Sequence, residues 1–241
     1  MFSDKRRCLS QGTISQADVD CGGQQCTCVA LTFICRHLMD SSSTLKFVHC
    51  PSTIDEIVRS GTELYWSHIN GNFNGKAKYL MFTELPDMPT IDGVLYPVVL
   101  NKVDIFAGLI GTASSSCESL TLTLSDGLLS AFAQHPSCLI SIGNNPAYTI
   151  AVIQVNKSSY LCFDSHRRSS DGMSKAGGTA VLLEVESITS LVKYITDLAQ
   201  SLFIHPSTAP FEIVSVLRRP TTSSSSTINT FDCNGMLQFN L

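Results

Sequence analysis

The chain has 241 residues, 44% of them hydrophobic and 15% charged, with a formal net charge of −4. This is enough length and apolar material for one large packed domain, and too little charge for a disordered chain. The negative balance, without a basic stripe to displace counterions from phosphates, excludes a general nucleic-acid binder.

Residues 1 to about 25 read as an irregular polar lead-in, rich in Gln, Ser, Asp and Gly. Met1 to Arg7 lacks the apolar run of a secretory signal. The spacing predicts a helix over 26–39, with Val29, Ala30, Phe33, Ile34 and Leu38 on its buried face. A second helix is expected from Pro51 to about Ile69. Ser52 with Asp55 three residues on approximates a capping box, and Ile54, Ile57, Val58, Gly61, Leu64 and Tyr65 share a face. Asn70 to Gly75 reads as a loop.

Strand signals begin after Lys78. Residues 79–82 and 95–100 are expected strands, parted by Pro86, Pro89 and Gly93. Residues 119–134 are ambiguous: Leu120 to Leu124 alternates as a strand does, whereas Ser125-Asp126-Gly127 suits a helix start. Strands over 138–142, 148–155 and 160–163 are separated by Asn144-Asn145-Pro146 and Asn156-Lys157-Ser158, which predicts an antiparallel meander. A polar loop over 167–178, a strand over 179–184, a helix over 187–201 and a strand over 211–217 complete the folded part. Beyond Pro220 the Ser/Thr-rich sequence has too few apolar side chains to offset the entropy of ordering. The chain is therefore divided into a folded domain over 1–219 and a largely disordered tail over 220–241. Helices come first and antiparallel strands later, an α+β layout.

Tyr96 to Gly111, the most apolar later stretch, is interrupted by Asn101, Lys102 and Asp104 and is too short to span a bilayer. The ten cysteines include no C-x-x-C pair, and Cys35, Cys138 and Cys162 lie within apolar runs where the thiol packs as a small hydrophobe. Free thiols in a reducing compartment are expected, with no metal, no cofactor and no membrane partner. The expected location is intracellular, in the cytoplasm or the nucleus.

Two short stretches carry chemistry. Gly22-Gly23-Gln24-Gln25-Cys26 runs into the first helix, and a glycine turn there leaves Cys26 at the helix N-terminus, where free N–H groups favour a thiolate. Later, Asp164 and His166 stand two residues apart at a strand end. On a strand they share a face, so the carboxylate can orient the imidazole. A cysteine near a helix start is often merely structural, and Cys28 is the nearest rival. It lies about 200° around the helix from Cys26, at ~100° per residue, so only one of the two can face the base. His37, His49, His68, His135 and His205 have no acidic neighbour at a strand end. Asp18 and Asp20 read as polar loop edges, though either could meet an arginine of a substrate.

Set in order, Gln16, Gly23-Gln24-Gln25-Cys26, Tyr148 to Ile153, Phe163-Asp164-Ser165-His166, Ser169 to Met173 and Gly178 to Leu182 resemble the herpesvirus tegument-type cysteine deubiquitinases, over about residues 11 to 217. The resemblance implies a papain-like fold in which N-terminal helices carrying the nucleophile pack on an antiparallel sheet carrying the Asp and His. It also implies cleavage after the C-terminal glycine of ubiquitin or polyubiquitin, by a monomer. Cys26 would be nucleophile, His166 base and acid, Asp164 the orienting carboxylate, and Gln16 the side-chain donor to the oxyanion. The interval from Gln16 to Cys26 is shorter than the family's, so Gln11 stays open for that last role; Gln25, next to the nucleophile, is a poorer candidate. Val29 stands where the family often has an asparagine. A ubiquitin-like modifier, another acyl substrate, or a non-catalytic ubiquitin-binding role are the alternatives.

Overall fold

The structure, a computed structural model, describes residues 5–19, 23–39, 50–111, 122–143 and 147–219. The polar lead-in is more ordered than its composition suggests. It holds a strand, β1 (Arg6–Gln11), and a one-turn helix, α1 (Gln16–Val19). The first long helix, α2, spans Cys26–Met39, and every residue from Cys26 to Cys35 is buried. α3 follows over Pro51–Asn72, with proline at a first-turn position where its missing N–H costs nothing.

The expected capping box at α3 does not form. Cys50 is the N-cap and makes no side-chain cap. Asp55 instead turns toward the lead-in, accepting from the Thr13 N–H at 2.8 Å and the Thr13 hydroxyl at 2.6 Å. A local pattern is overridden here because a buried carboxylate needs several donors, and the chain before α1 supplies them. Gly61 lets α3 approach α2 closely: a Cβ at 61 would come within 2.4 Å of the Val29 Cα. Val29 thus packs directly against the neighbouring helix.

The strand expected over 79–82 is absent. Residues 76–81 run without ladder pairing into a 3-10 turn at Phe82–Glu84. The apolar run over 95–100 is broken at Tyr96-Pro97: β2 (Thr90–Ile91) and β3 (Val94–Leu95) make a small hairpin, and β4 (Val98–Leu100) joins the main sheet. β5 (Phe106–Leu109) follows. The ambiguous segment gives a helix, α4 (Leu124–Gln134), capped by Thr123, whose hydroxyl accepts from the Asp126 N–H at 3.1 Å; residues 119–121 lie outside the described residues. Then come β6 (Ser137–Ile142), β7 (Tyr148–Asn156), β8 (Ser159–Arg168), β9 (Thr179–Glu186), α5 (Ile188–Ser201) and β10 (Pro210–Arg218). The expected 144–146 turn and the 220–241 tail lie outside the described residues.

The main sheet has eight strands in the order β1-β9-β8-β7-β6-β10-β4, with β5 also paired to β10. Its named pairs are all antiparallel. Alternation along each strand feeds two cores. Leu161 and Phe163 of β8 pack with α2 and α3 on one face, while Tyr160 and Cys162 pack with α4 and α5 on the other. Phe33 of α2 stacks on Phe163, with centroids 4.8 Å apart. Such a pair adds about 0.5–1.5 kcal/mol beyond its buried area. This contact fixes the helix that begins at Cys26 against the strand that carries Asp164.

Candidate active site

Cys26 is the first residue of α2, and the chain reaches it through Gly23 at φ +87°, a conformation that only glycine adopts without strain. Although it opens the helix, Cys26 is buried, at 1% exposure. The residue just before β7 lies against it: its sulfur is 3.9 Å from the Ala147 carbonyl oxygen. The next residue, Thr27, is pinned from two sides, its hydroxyl 3.2 Å from the Leu80 carbonyl and 3.2 Å from the Thr149 hydroxyl. Burial pushes the Cys26 thiol up, yet the hydrogen bond and charge of His166 outweigh that and bring it below the ordinary thiol value. Cys28 is fully buried with no such partner, and burial drives its thiol far up. The two sulfurs therefore differ in direction, the Cys26 thiol lowered and the Cys28 thiol raised.

β8 carries Asp164 and His166. The His166 Nδ1 lies 2.7 Å from the Asp164 Oδ1, which also accepts the His166 backbone N–H at 2.9 Å. Burial disfavours the imidazolium, but the Asp164 carboxylate and the Cys26 sulfur outweigh it and raise the His166 value. The sequence reading missed Arg168, whose guanidinium is 2% exposed and whose Nε donates to the other carboxylate oxygen, Asp164 Oδ2, at 2.6 Å. Burial alone would raise the Asp164 carboxyl; the charges of Arg168 and His166 hold it well below the usual carboxylate range. Arg168 lies over the Tyr148 ring at 5.9 Å, and Tyr148 also faces the His166 ring at 5.1 Å. The signal for Arg168 was its place two residues past His166, overlooked because the strand was expected to end sooner.

Of the glutamines, Gln16 is fully buried beside the Gly23 turn that leads to Cys26. Its Nε2 donates to the Gly23 carbonyl at 2.9 Å, and its Oε1 accepts from the Ser165 hydroxyl at 2.6 Å. A primary amide has two N–H donors, so one remains after the Gly23 bond. Gln25 donates to the Gln16 backbone carbonyl at 2.7 Å and so braces it. Gln11 sits on β1, where its Nε2 donates to the Arg168 carbonyl at 3.0 Å. Asp18 is held by Ser15 and by Arg167 at 2.7 Å, a second tie from α1 to β8. The structure thus brings Cys26, His166, Asp164 and Gln16 to one place and holds Gln11 on the β1–β8 side. A cavity of about 350 Å³ opens beside Cys26, lined by Leu80, Ala147 and Thr149 among others.

Seven described cysteines are free, and no group of three metal-ligating side chains converges among the described residues. No helix of the described residues is long and apolar enough to cross a membrane.

An antiparallel sheet packed on a central helix, with a cysteine at the helix start and an Asp–His pair on the sheet, defines the α+β, papain-like class of cysteine protease folds. Over residues 11–216 the sequence matches the family described as the herpesvirus tegument protein, N-terminal conserved region, and the chain belongs to that family. Among solved structures it is similar to the ubiquitin-specific protease encoded by a murine cytomegalovirus tegument protein, in complex with a ubiquitin-based suicide substrate. That likeness has a TM-score of 0.66 and 17% identity, covering 92% of this chain and 90% of that one. The Pseudomonas avirulence protein AvrPphB gives a TM-score of 0.44 at 14% identity, over 83% of this chain and 100% of the other. No curated protein matches the sequence.

Proposed function

We propose that the protein is a cysteine-dependent deubiquitinase, hydrolysing the peptide or isopeptide bond after the C-terminal glycine of ubiquitin. The observation that carries this reading is the 2.7 Å hydrogen bond between Asp164 and His166, whose imidazole in turn lowers the buried Cys26 thiol. Membership of the tegument family supports it, and the ubiquitin-based suicide substrate on the murine cytomegalovirus protease supports ubiquitin as the partner.

In this reading Cys26, as thiolate, attacks the carbonyl carbon of the ubiquitin tail, forming a C–S bond. His166 gives its proton to the departing lysine amine as the C–N bond breaks, leaving a thioester. His166 then takes a proton from water, whose oxygen attacks the thioester and releases the ubiquitin carboxylate and Cys26. Asp164 keeps the ring oriented and its charged form favoured. Negative charge on the tetrahedral oxygen is met by the Cys26 N–H and by the second N–H of Gln16, donors fixed before substrate arrives. The thiol-based chemistry suits a reducing, intracellular setting, cytoplasmic or nuclear, with the folded domain over 1–219 acting as a monomer.

The test is a ubiquitin carrying an electrophile at its C-terminus. Wild type should form one covalent adduct, located at Cys26 by mass spectrometry, and Cys26→Ala should form none. An adduct on Cys28, or no adduct with a folded protein, would refute the reading.

A further inference from the structure

The cavity beside Cys26 has one charged side chain in its lining, and the chemistry above does not use it. Glu212 of β10 lies opposite Ser141 of β6, which lies opposite Thr149 of β7, and Ala107 of β5 flanks it on the other side. Directly opposed residues point to one face, and Val214 and Val216, in alternate positions after Glu212, put that face on the α2 side. The row therefore begins at Thr149, in contact with Thr27 next to the nucleophile, and reaches Glu212 two strands away, about 10 Å at ~4.8 Å per strand. Glu212 makes no hydrogen bond or ion pair with any described residue, and the large side chains of its cavity, Tyr79, Leu80, Met81, Phe82 and Phe211, bring no cation to it.

The direction of a bound peptide follows from the other side of the site. His166, which must face the departing amine, and Ser165, which holds Gln16, both stand on β8, on the flank of β7 away from β6 and β10. The acyl portion of a substrate then leaves Cys26 the opposite way, into the cavity. An extended peptide rises ~3.3 Å per residue, so about three residues carry it to Glu212. We infer that Glu212 is a specificity-determining residue for a cationic side chain, arginine above all, three to five residues before the scissile bond. This rests on the thiol-protease reading, and it names what the cleft selects: a tail with arginine spaced before two small terminal residues, as ubiquitin has, over tails of the same backbone without positive charge.

The experiment compares two hexapeptide vinyl sulfones, Leu-Arg-Leu-Arg-Gly-Gly and Leu-Ala-Leu-Ala-Gly-Gly, as inactivators of wild type and Glu212→Gln. Labelling of Cys26 is read by intact mass. Wild type should react about 10-fold faster with the arginine probe, the lower end for a charge-assisted hydrogen bond. Glu212→Gln should lose that preference while its rate with the alanine probe stays unchanged. A preference that survives in Glu212→Gln overturns the inference, as does an equal loss with both probes, which would mark Glu212 as structural. Turnover of ubiquitin amidomethylcoumarin by wild type is read alongside. Probe preference without ubiquitin turnover would refute ubiquitin as substrate and support the subsite. Ubiquitin turnover without probe preference would refute the subsite alone. Failure of both probes to label Cys26, with no turnover of ubiquitin, would overturn both.

Discussion

Replacing Arg168 by Met keeps most of the side-chain volume and removes the charge beneath Asp164. The Asp164 carboxylate, 1% exposed, would keep the two bonds from His166 on Oδ1 and lose its partner on Oδ2. Breaking a buried ion pair from one side costs about 3–5 kcal/mol, because the remaining charge is stranded. For a domain of this size a kilocalorie corresponds to about 2–4 °C in Tm, which gives a loss of roughly 6–20 °C. The sign with pH is fixed by the Asp164 shift. Its folded value is depressed, so the stability it brings is present above the ordinary carboxylate range and lost as pH falls through the folded value. The gap between wild type and Arg168→Met should therefore be widest near neutral pH and narrow below about pH 3, where unfolded Asp is protonated. Urea unfolding at several pH values measures it. Asp164→Asn combined with Arg168→Met should recover part of the loss, since no charge is then stranded. A neutral-pH gap below about 1 kcal/mol, or one that does not shrink in acid, would refute the reasoning that Arg168 acts through the charge of Asp164.

Cys26 lies below the ordinary thiol value and His166 above the ordinary imidazole value, so iodoacetamide should alkylate Cys26 well below the pH at which a free thiol ionises. His166→Ala should move that onset upward, and an unmoved onset would argue against the pairing. Gln16→Ala should lower kcat by on the order of 10²-fold with KM little changed, as loss of an oxyanion donor does, whereas Gln11→Ala should not; steady-state kinetics on one ubiquitin substrate separates them. Phe163→Ala should destabilise the domain by about 3–5 kcal/mol in urea unfolding by emptying the Phe33 stack. A cost below about 1 kcal/mol would mean that α2 is not anchored to β8 there.

The residues proposed for catalysis were legible because their signals are local. A glycine turn before an apolar helix points to Cys26, and an acid two residues from a histidine on a strand end points to the base. The bounds of α2 were likewise readable, since its apolar run is local, although the spacing marked one buried face where the structure buries every side from Cys26 to Cys35. What escaped depends on contacts remote in sequence. β1 has only Cys8 and Leu9 as apolar residues, and it becomes a strand because β9, far along the chain, offers a ladder. Asp55 looked like a cap because the donors at Thr13 belong to another segment. Arg168 looked like loop because a buried arginine is recognisable only once its carboxylate partner is placed. The burial of Cys26 depends on Ala147 and the strand it precedes, which no pattern around the cysteine encodes.

The alternation of β8 between two cores has a consequence for how this chain tolerates length changes. Phe163 and Ser165 serve the face where α2 and Gln16 lie, while Cys162 serves the opposite one and Asp164 makes its bonds to His166 and Arg168. The strand works as a key whose odd and even teeth fit different locks. One residue inserted or deleted between Leu161 and Asp164 would turn every tooth to the wrong side, sending a carboxylate toward Phe33 and a phenylalanine toward Arg168. Substitutions in β8 can be graded in their effects, but insertions cannot. A library of single-residue insertions should leave an active-enzyme gap across this strand, in contrast to the loop after α3, where no such two-sided register is kept.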